Sequence, residues 1–283
     1  MRIWGVSKGF LKRVLLGLSV VAAIAGVCCL DAYYIEPNYP RVIRQDIHIE
    51  GLPKSLDGLK IVHLSDLHIV KFGKREARAV RLVQRIKPDL ICLTGDYVED
   101  DGITSGDYTT SECIEQAARF VSCLHAEYGV YAVSGNWDPP EVASAFERCG
   151  AKMIDRTLVT LKIRKARLNL AATEAIEAAA ESESNQLDPR TPTIVLDHFP
   201  EAVNDLAKTK SRVDLVLAGH WHGGQVGWPF KMTDVKYLAG LYKVGRTQVY
   251  VSRGLGMHTY AVRFNCPAEI TLIVLRRGDV KSS

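Results

Sequence analysis

Short apolar runs bounded by chain breakers recur along the chain. Lys60–Leu64, Leu90–Thr94, Val130–Ser134, Thr193–Leu196, Val213–Ala218, Gln248–Ser252 and Ile270–Leu275 are rich in β-branched residues, the pattern of strands covered on both faces. Between the first two, Val80, Val83 and Ile86 fall at helical spacing within Lys74–Lys87, and Pro88 stops the pattern. Glu112–Leu124 and Glu141–Cys149 predict two more helices. Leu158–Ile163 and Arg167–Ala171 predict a hairpin, and the Ala/Glu-rich stretch Ala175–Asn185 a short exposed helix or loop. Strand and helix alternate early, as in βαβ units, and the second half is richer in strands.

The N-terminus departs from this pattern. Val14–Leu30 carries no charge and follows Arg2, Lys8, Lys12 and Arg13, which predicts a membrane anchor. As a helix it spans about 26 Å, slightly short of a hydrocarbon core of roughly 30 Å. Asp31 interrupts the run, and Ala32–Ile35 extends it if that charge is tolerated. A cleaved signal peptide is disfavoured, because the apolar run continues past its small-residue triplet Ala23-Ile24-Ala25. The expected organisation is a basic flank and anchor over 1–35, a connector with one edge strand over 36–58, a catalytic domain over 59–275 and a tail over 276–283. Four basic residues precede the anchor against Arg41 and Arg44 after it, a bias that places the domain outside the cytoplasm.

Composition narrows the function classes. At 47% hydrophobic and 24% charged, the 283 residues are those of a globular protein, not a disordered or fibrous one. A net charge of +4 is too small to argue nucleic-acid binding, and aromatic and basic residues are not interleaved, so no nucleic-acid partner is expected. The seven cysteines form no Cys-x-x-Cys pair and read as small hydrophobes rather than a disulfide framework.

The chemistry lies where the strands end. In order, the strand termini deliver Ser65-Asp66-Leu67-His68, Gly95-Asp96, Gly135-Asn136-Trp137-Asp138, Asp197-His198 and Gly219-His220-Trp221-His222-Gly223-Gly224. Carboxyl ends of sheet strands are where α/β folds place ligands. Asp66 and His68, and again His220 and His222, stand two apart, so both side chains of each pair face one way in extended backbone. Imidazole, carboxylate and amide oxygen together suit manganese, iron or zinc better than calcium, and seven candidate ligands are too many for one tetrahedral ion.

These ordered motifs (Asp-x-His, Gly-Asp, Gly-Asn-x-Asp, a lone His, Gly-His-x-His) resemble those of the calcineurin-like metallophosphoesterase superfamily over roughly Leu59–Leu275. Gly219–Val226, Ser252–Gly256 and Arg263–Ile270 resemble its membrane-associated bacterial branch. The resemblance implies a four-layer α/β sandwich of two mixed β-sheets flanked by helices. It implies one divalent ion, manganese above iron or zinc, held by Asp66, His68, Asp96 and His222. A second would be held by Asp96, Asn136, His198 and His220, with Asp96 shared. A hydroxide between the ions would attack phosphorus in line, and Asp96, Asn136 and His198 would carry catalysis.

One position departs from the family pattern. Most relatives have His after the Asn; here it is Trp137, and the lipid A-pathway UDP-2,3-diacylglucosamine hydrolases resemble this chain in also lacking His at this position. A phosphate leaving group needs no general acid, so Trp137 points to a pyrophosphate or another activated phosphoester. The expected activity is hydrolysis of UDP-2,3-diacylglucosamine to UMP and a lipid monophosphate at the bacterial inner membrane. The alternatives are a broad membrane-tethered phosphodiesterase, or a silent binding protein on this fold. The substrate is a phosphorylated small molecule or lipid, and the N-terminal segment meets membrane lipids. Asp138-Pro139-Pro140-Glu141 has the form of a helix capping box, so Asp138 is expected to cap, with orientation of a metal-bound histidine as the other role. Arg263 is expected to touch substrate or to pack. Trp221 shields the site, His63 packs in the core, and His48, His125 and His258 have no motif around them. The basic face Lys71, Lys74, Arg75, Arg78, Arg81 and Arg85 reads as solvated surface or as a contact for phosphates or anionic headgroups.

Overall fold

In a computed structural model, which describes residues 8–99, 106–181, 187–230 and 233–278, the apolar runs become the central strands of two sheets. Arg2, residues 182–185 of the Ala/Glu-rich stretch and residues 279–283 of the tail lie outside the described residues.

The chain runs α1 (Lys8–Leu30), β1 (Arg41–Glu50), β2 (Lys60–Leu64), α2 (Lys74–Ile86), β3 (Leu90–Thr94), α3 (Thr110–Ser122), β4 (Val130–Val133), α4 (Glu141–Arg148) and β5 (Ala151–Met153). It continues with β6 (Leu158–Ile163), β7 (Ala166–Ala172), α5 (Thr173–Glu181), β8 (Thr193–Leu196), α6 (Val203–Leu206), β9 (Leu215–Ala218), β10 (Gly240–Val244), β11 (Thr247–Val251) and β12 (Glu269–Gly278). One six-stranded sheet has the order β1-β12-β2-β3-β4-β5 and the other β10-β11-β9-β8-β7-β6. Both are mixed: β2, β3, β4 and β5 are parallel with β12 antiparallel to β2, and β7, β8, β9 and β11 are parallel between antiparallel β6 and β10.

Three apolar layers hold the sandwich. Ile61, Leu90 and Cys92 of one sheet meet Leu170, Ile194 and Leu215 of the other between the sheets. Val80, Val83, Phe120 and Phe146 pack α2, α3 and α4 on the outer face of the first sheet. Ile176, Val203 and Leu206 cover the outer face of the second. Strands sealed on both sides cannot alternate, which is why β3, β4, β8 and β9 are buried at every position.

Several boundaries move. Residues 41–50 of the expected connector form a full edge strand, parallel to β12 from Arg41↔Glu269 to Glu50↔Gly278, and thus belong to the sheet. β12 itself runs on through Gly278, into the expected tail. Helix α3 starts at Thr110, not Glu112, because Thr109 is its N-cap and the Glu112 carboxylate accepts from the Thr109 N–H at 2.8 Å. The short edge strands β5 and β10 had no apolar run to mark them. Asp31 does not end the helix: a π turn over Asp31–Ile35 continues it, and within the 27-residue span Gly9–Ile35 an 18-residue stretch has a mean hydropathy of 2.3. By length and composition this helix can cross a membrane, at about 40 Å, and its side chains from Gly9 to Val27 are exposed.

Candidate metal centre

The carboxyl ends of β2, β3, β4, β8 and β9 meet at one rim, where the sheets are stitched together. The Asp66 N–H donates to the Gly95 carbonyl at 3.0 Å and the Gly219 N–H to the His198 carbonyl at 3.1 Å. From the second sheet to the first, the His220 N–H donates to Asp66 Oδ1 at 2.9 Å. Five candidate ligands, Asp66, His68, Asp96, His220 and His222, adopt positive φ, a conformation costly for residues with a Cβ and concentrated at functional sites. Glycine is required here by space: a Cβ on Gly219 would collide with Ser65 Oγ and Asp66 Oδ2, and one on Gly135 with Asp96 Oδ1.

Among the described residues His68, Glu99 and His258 form one donor group, and two further donor clusters share Asp96. Asp66, His68, Asp96 and His222 form one; Asp96, His198 and His220 form the other. His68 Nε2 and His222 Nε2 face each other at 3.1 Å, and His222 Nε2 lies 3.6 Å from Asp66 Oδ1. Asp96 Oδ2 lies 3.7 Å from His68 Nε2 and 3.1 Å from His198 Nε2, and His198 Nε2 faces His220 Nδ1 at 3.1 Å. Asn136 lines a cleft of about 150 Å³ together with His198 and Phe199.

The donors fit divalent cations. Asp66 Oδ2 and His222 Nδ1 are buried without a hydrogen-bond partner, an expense that a protein otherwise avoids. Two imidazole pairs aim ring nitrogens at each other at hydrogen-bond distance, so that a cation between them would take the lone pairs of both. Burial, with His68 close by, holds His222 well below the usual imidazole range, and burial pushes Asp66 up despite the pull of His198. Burial alone would depress His198, but its bond to Asp96 and the charge of Asp66 outweigh that and raise it to about 9. His198 Nδ1 lies 2.9 Å from the Thr94 carbonyl, which only accepts; Nδ1 carries the hydrogen and Nε2 is left for the centre.

Sequence reasoning missed two residues. The buried Glu99 carboxylate lies 2.8 Å from His68 Nδ1 and 3.0 Å from His258 Nδ1, so it orients one candidate ligand and tethers a further imidazole. His258 stacks on His68 at 5.2 Å and packs against the Trp137 ring at 4.6 Å. Glu99 was within reach of a local reading, three residues beyond Asp96; His258 was not.

The other expected residues have these places. Trp137 is partly exposed, and its backbone N–H donates to Asp96 Oδ1 at 3.0 Å. Asp138 caps nothing: α4 starts after Pro140, and the carboxylate instead accepts from the N–H groups of Asp96, Tyr97 and Gly135 at 2.8, 2.7 and 2.8 Å. Pro140 already closes that helix start, which frees Asp138 to bind the two loops together. Loss of solvent, helped by the Asp96 charge, pushes it up to about 6. Arg263 is fully buried and clamps the carbonyls of Arg253, Gly254, Gly256 and Cys266. The loop it holds donates from Leu255 and Gly256 N–H to the carbonyls of Ser65 and Asp66, so Arg263 is tied to the centre through that loop. Trp221 covers His220 at 4.6 Å with its Nε1 on Glu201, and His63 is buried in β2. None of the seven cysteines is in a disulfide.

The match to the calcineurin-like phosphoesterase family model covers residues 59–224, so the chain belongs to that family of metal-dependent hydrolases. Among its relatives, the uncharacterized metallophosphoesterase YkuE of Bacillus subtilis is 29% identical over 95% of this chain and 97% of its own. Phosphodiesterase YaeI of Escherichia coli is 28% identical over 86% of this chain and 91% of its own. The UDP-2,3-diacylglucosamine pyrophosphatase LpxG of Chlamydia trachomatis is 25% identical over 90% of this chain and 95% of its own.

Proposed function

We propose that this chain is a dinuclear phosphohydrolase of the membrane surface that cleaves a phosphodiester or pyrophosphate bond in a lipid-borne substrate, with UDP-2,3-diacylglucosamine, giving UMP and a lipid monophosphate, as the specific candidate. The observation that carries this reading is the pair of donor clusters sharing Asp96 at a rim against which the end of an apolar helix is packed. Asp66, His68, Asp96 and His222 hold one cation, and Asp96, Asn136, His198 and His220 the other; manganese fits this donor set best. When bound, the cations lower the pKa of water and offset phosphate charge. The chain's own residues do the rest. Glu99 and the Thr94 carbonyl fix the imidazoles of His68 and His198, Asp138 and the Trp137 N–H hold Asp96, and the closely packed glycines keep water-filled slack out of the rim.

A second reading, a broad membrane-tethered phosphodiesterase, is favoured by His258. The Trp137 position leaves the motif without its histidine, yet another loop sets an imidazole against the same ring. An imidazole there can hydrogen-bond a leaving oxygen, which simple esters need and a pyrophosphate does not. The assay is manganese-dependent release of UMP from UDP-diacylglucosamine beside hydrolysis of an alkyl phosphodiester, with Asp96→Asn as control. UMP release without alkyl ester cleavage supports the first reading; cleavage of both at similar rates supports the second.

A further inference from the structure

The turn that continues α1 is joined to a loop platform on the domain by one backbone and one side-chain hydrogen bond. The Arg263 N–H donates to the Ala32 carbonyl at 3.0 Å, and the Cys266 N–H to the Glu36 carboxylate at 2.9 Å. Ala32 lies three residues inside the end of the apolar span at Ile35, about 4.5 Å at helical rise. Residues 263–266 therefore sit at the border of any bilayer that the helix crosses. The same segment holds the loop after the Gly-His-x-His motif: Phe264 N–H donates to the Gln225 carbonyl, Gly227 N–H to the Phe264 carbonyl, and Asn265 Nδ2 to the Trp228 carbonyl at 2.9, 2.8 and 2.9 Å.

That platform displays what a bilayer border takes. Trp228 is 79% exposed, Phe230 64% and Tyr260 65%, and Tyr33, Tyr34 and Tyr39 are exposed where the helix ends. Amphipathic aromatic rings are favoured at the headgroup level. On the other flank, Arg78 donates to the Asn38 carbonyl at 2.8 Å and stacks on Tyr39 at 3.9 Å. Beside it the exposed Lys71 and Lys74 border a cavity of about 270 Å³ shared with Asn38 and His68. Lysines at this height complement anionic headgroups. A further cavity of about 480 Å³, bordered by Val226, Tyr260 and Val262, reaches His222 and His258 of the centre.

We infer that this face docks on a phospholipid bilayer: Trp228, Phe230 and Tyr260 sit among the headgroups with Lys71 and Lys74 against their phosphates, and the metal rim opens toward the lipid surface. The inference rests on the membrane reading of α1 and is independent of the substrate.

The test uses the full chain reconstituted in phosphatidylcholine–phosphatidylglycerol vesicles whose acyl chains are brominated near the headgroup. Subtracting the emission of a Trp228→Tyr chain isolates Trp228, because the remaining tryptophans are common to both. The expected result is loss of at least half of that emission in brominated vesicles, with weak quenching by aqueous acrylamide. A Tyr260→Trp reporter in the Trp228→Tyr chain should behave alike. Full acrylamide quenching with none from bromine overturns the inference. So does shielding from both quenchers that grows with protein density, which would mean a second copy of the chain covers the face.

Discussion

At the residue scale, the centre depends on side chains that hold other side chains. Glu99 touches His68 and His258 and no expected cation directly, so Glu99→Gln should weaken manganese binding about 10- to 100-fold while leaving the fold intact. Metal titration beside circular dichroism checks both halves; unchanged affinity would remove the orienting role. Gly219 makes a second case. Gly219→Ala must push Ser65 and Asp66 apart, so it should cost about 1–3 kcal/mol of stability and most of the metal affinity, read by denaturant unfolding and the same titration. The candidate ligands were legible because strand ends repeat Asp, Asn or His beside Gly in a fixed order. His258 was not, because its carboxylate partner lies 159 positions away and nothing in the local pattern marks this histidine. Asp138 shows the opposite failure: a well-formed local capping signal lost to three backbone N–H groups brought in by the tertiary fold.

At the element scale, β2 carries a titratable group sealed in its middle. His63 is fully buried, with Nε2 2.8 Å from Thr94 Oγ1 and Nδ1 unpartnered, and burial lowers it to about 3. The unfolded chain takes up this proton below about 6.5, whereas the folded one refuses it until about 3. Its contribution is fully present above 6.5 and is lost as pH falls toward 3, with a slope of up to about 1.4 kcal/mol per pH unit. Denaturant unfolding of the detergent-solubilised chain across this window should show a shallower pH slope for His63→Gln than for wild type; equal slopes would contradict the assignment. The buried central strands were readable from their continuous apolar runs. β1 was not readable as a full strand, because one side of this edge is charged and its only neighbour, β12, comes from the opposite end of the chain.

At the scale of the whole molecule, the anchor and the centre lie on one side of the sandwich, and topology separates the two substrate readings. A cytoplasmic domain meets UDP-linked lipid where it is made; the basic flank before α1 predicts the opposite side. C-terminal reporter fusions decide: an active periplasmic reporter supports the charge reading and removes the nucleotide-linked substrate, whereas a fluorescent cytoplasmic one keeps it. The early alternation of strand and helix was legible as βαβ units, whereas the layered sandwich of two sheets was implied by the resemblance of the strand-end motifs to the family. The seating of the helix end on residues 263–266 was not legible, since one bond joins backbone groups that any sequence carries and the other pairs Glu36 with a backbone N–H 230 positions away.

The most direct test of the shared centre is elemental analysis of the full-length chain after manganese loading, for wild type and Asp96→Asn. The account predicts close to two ions per wild-type chain and loss of both in the variant, because one carboxylate serves both clusters. Two ions retained by Asp96→Asn, or one or none bound by wild type, would contradict it.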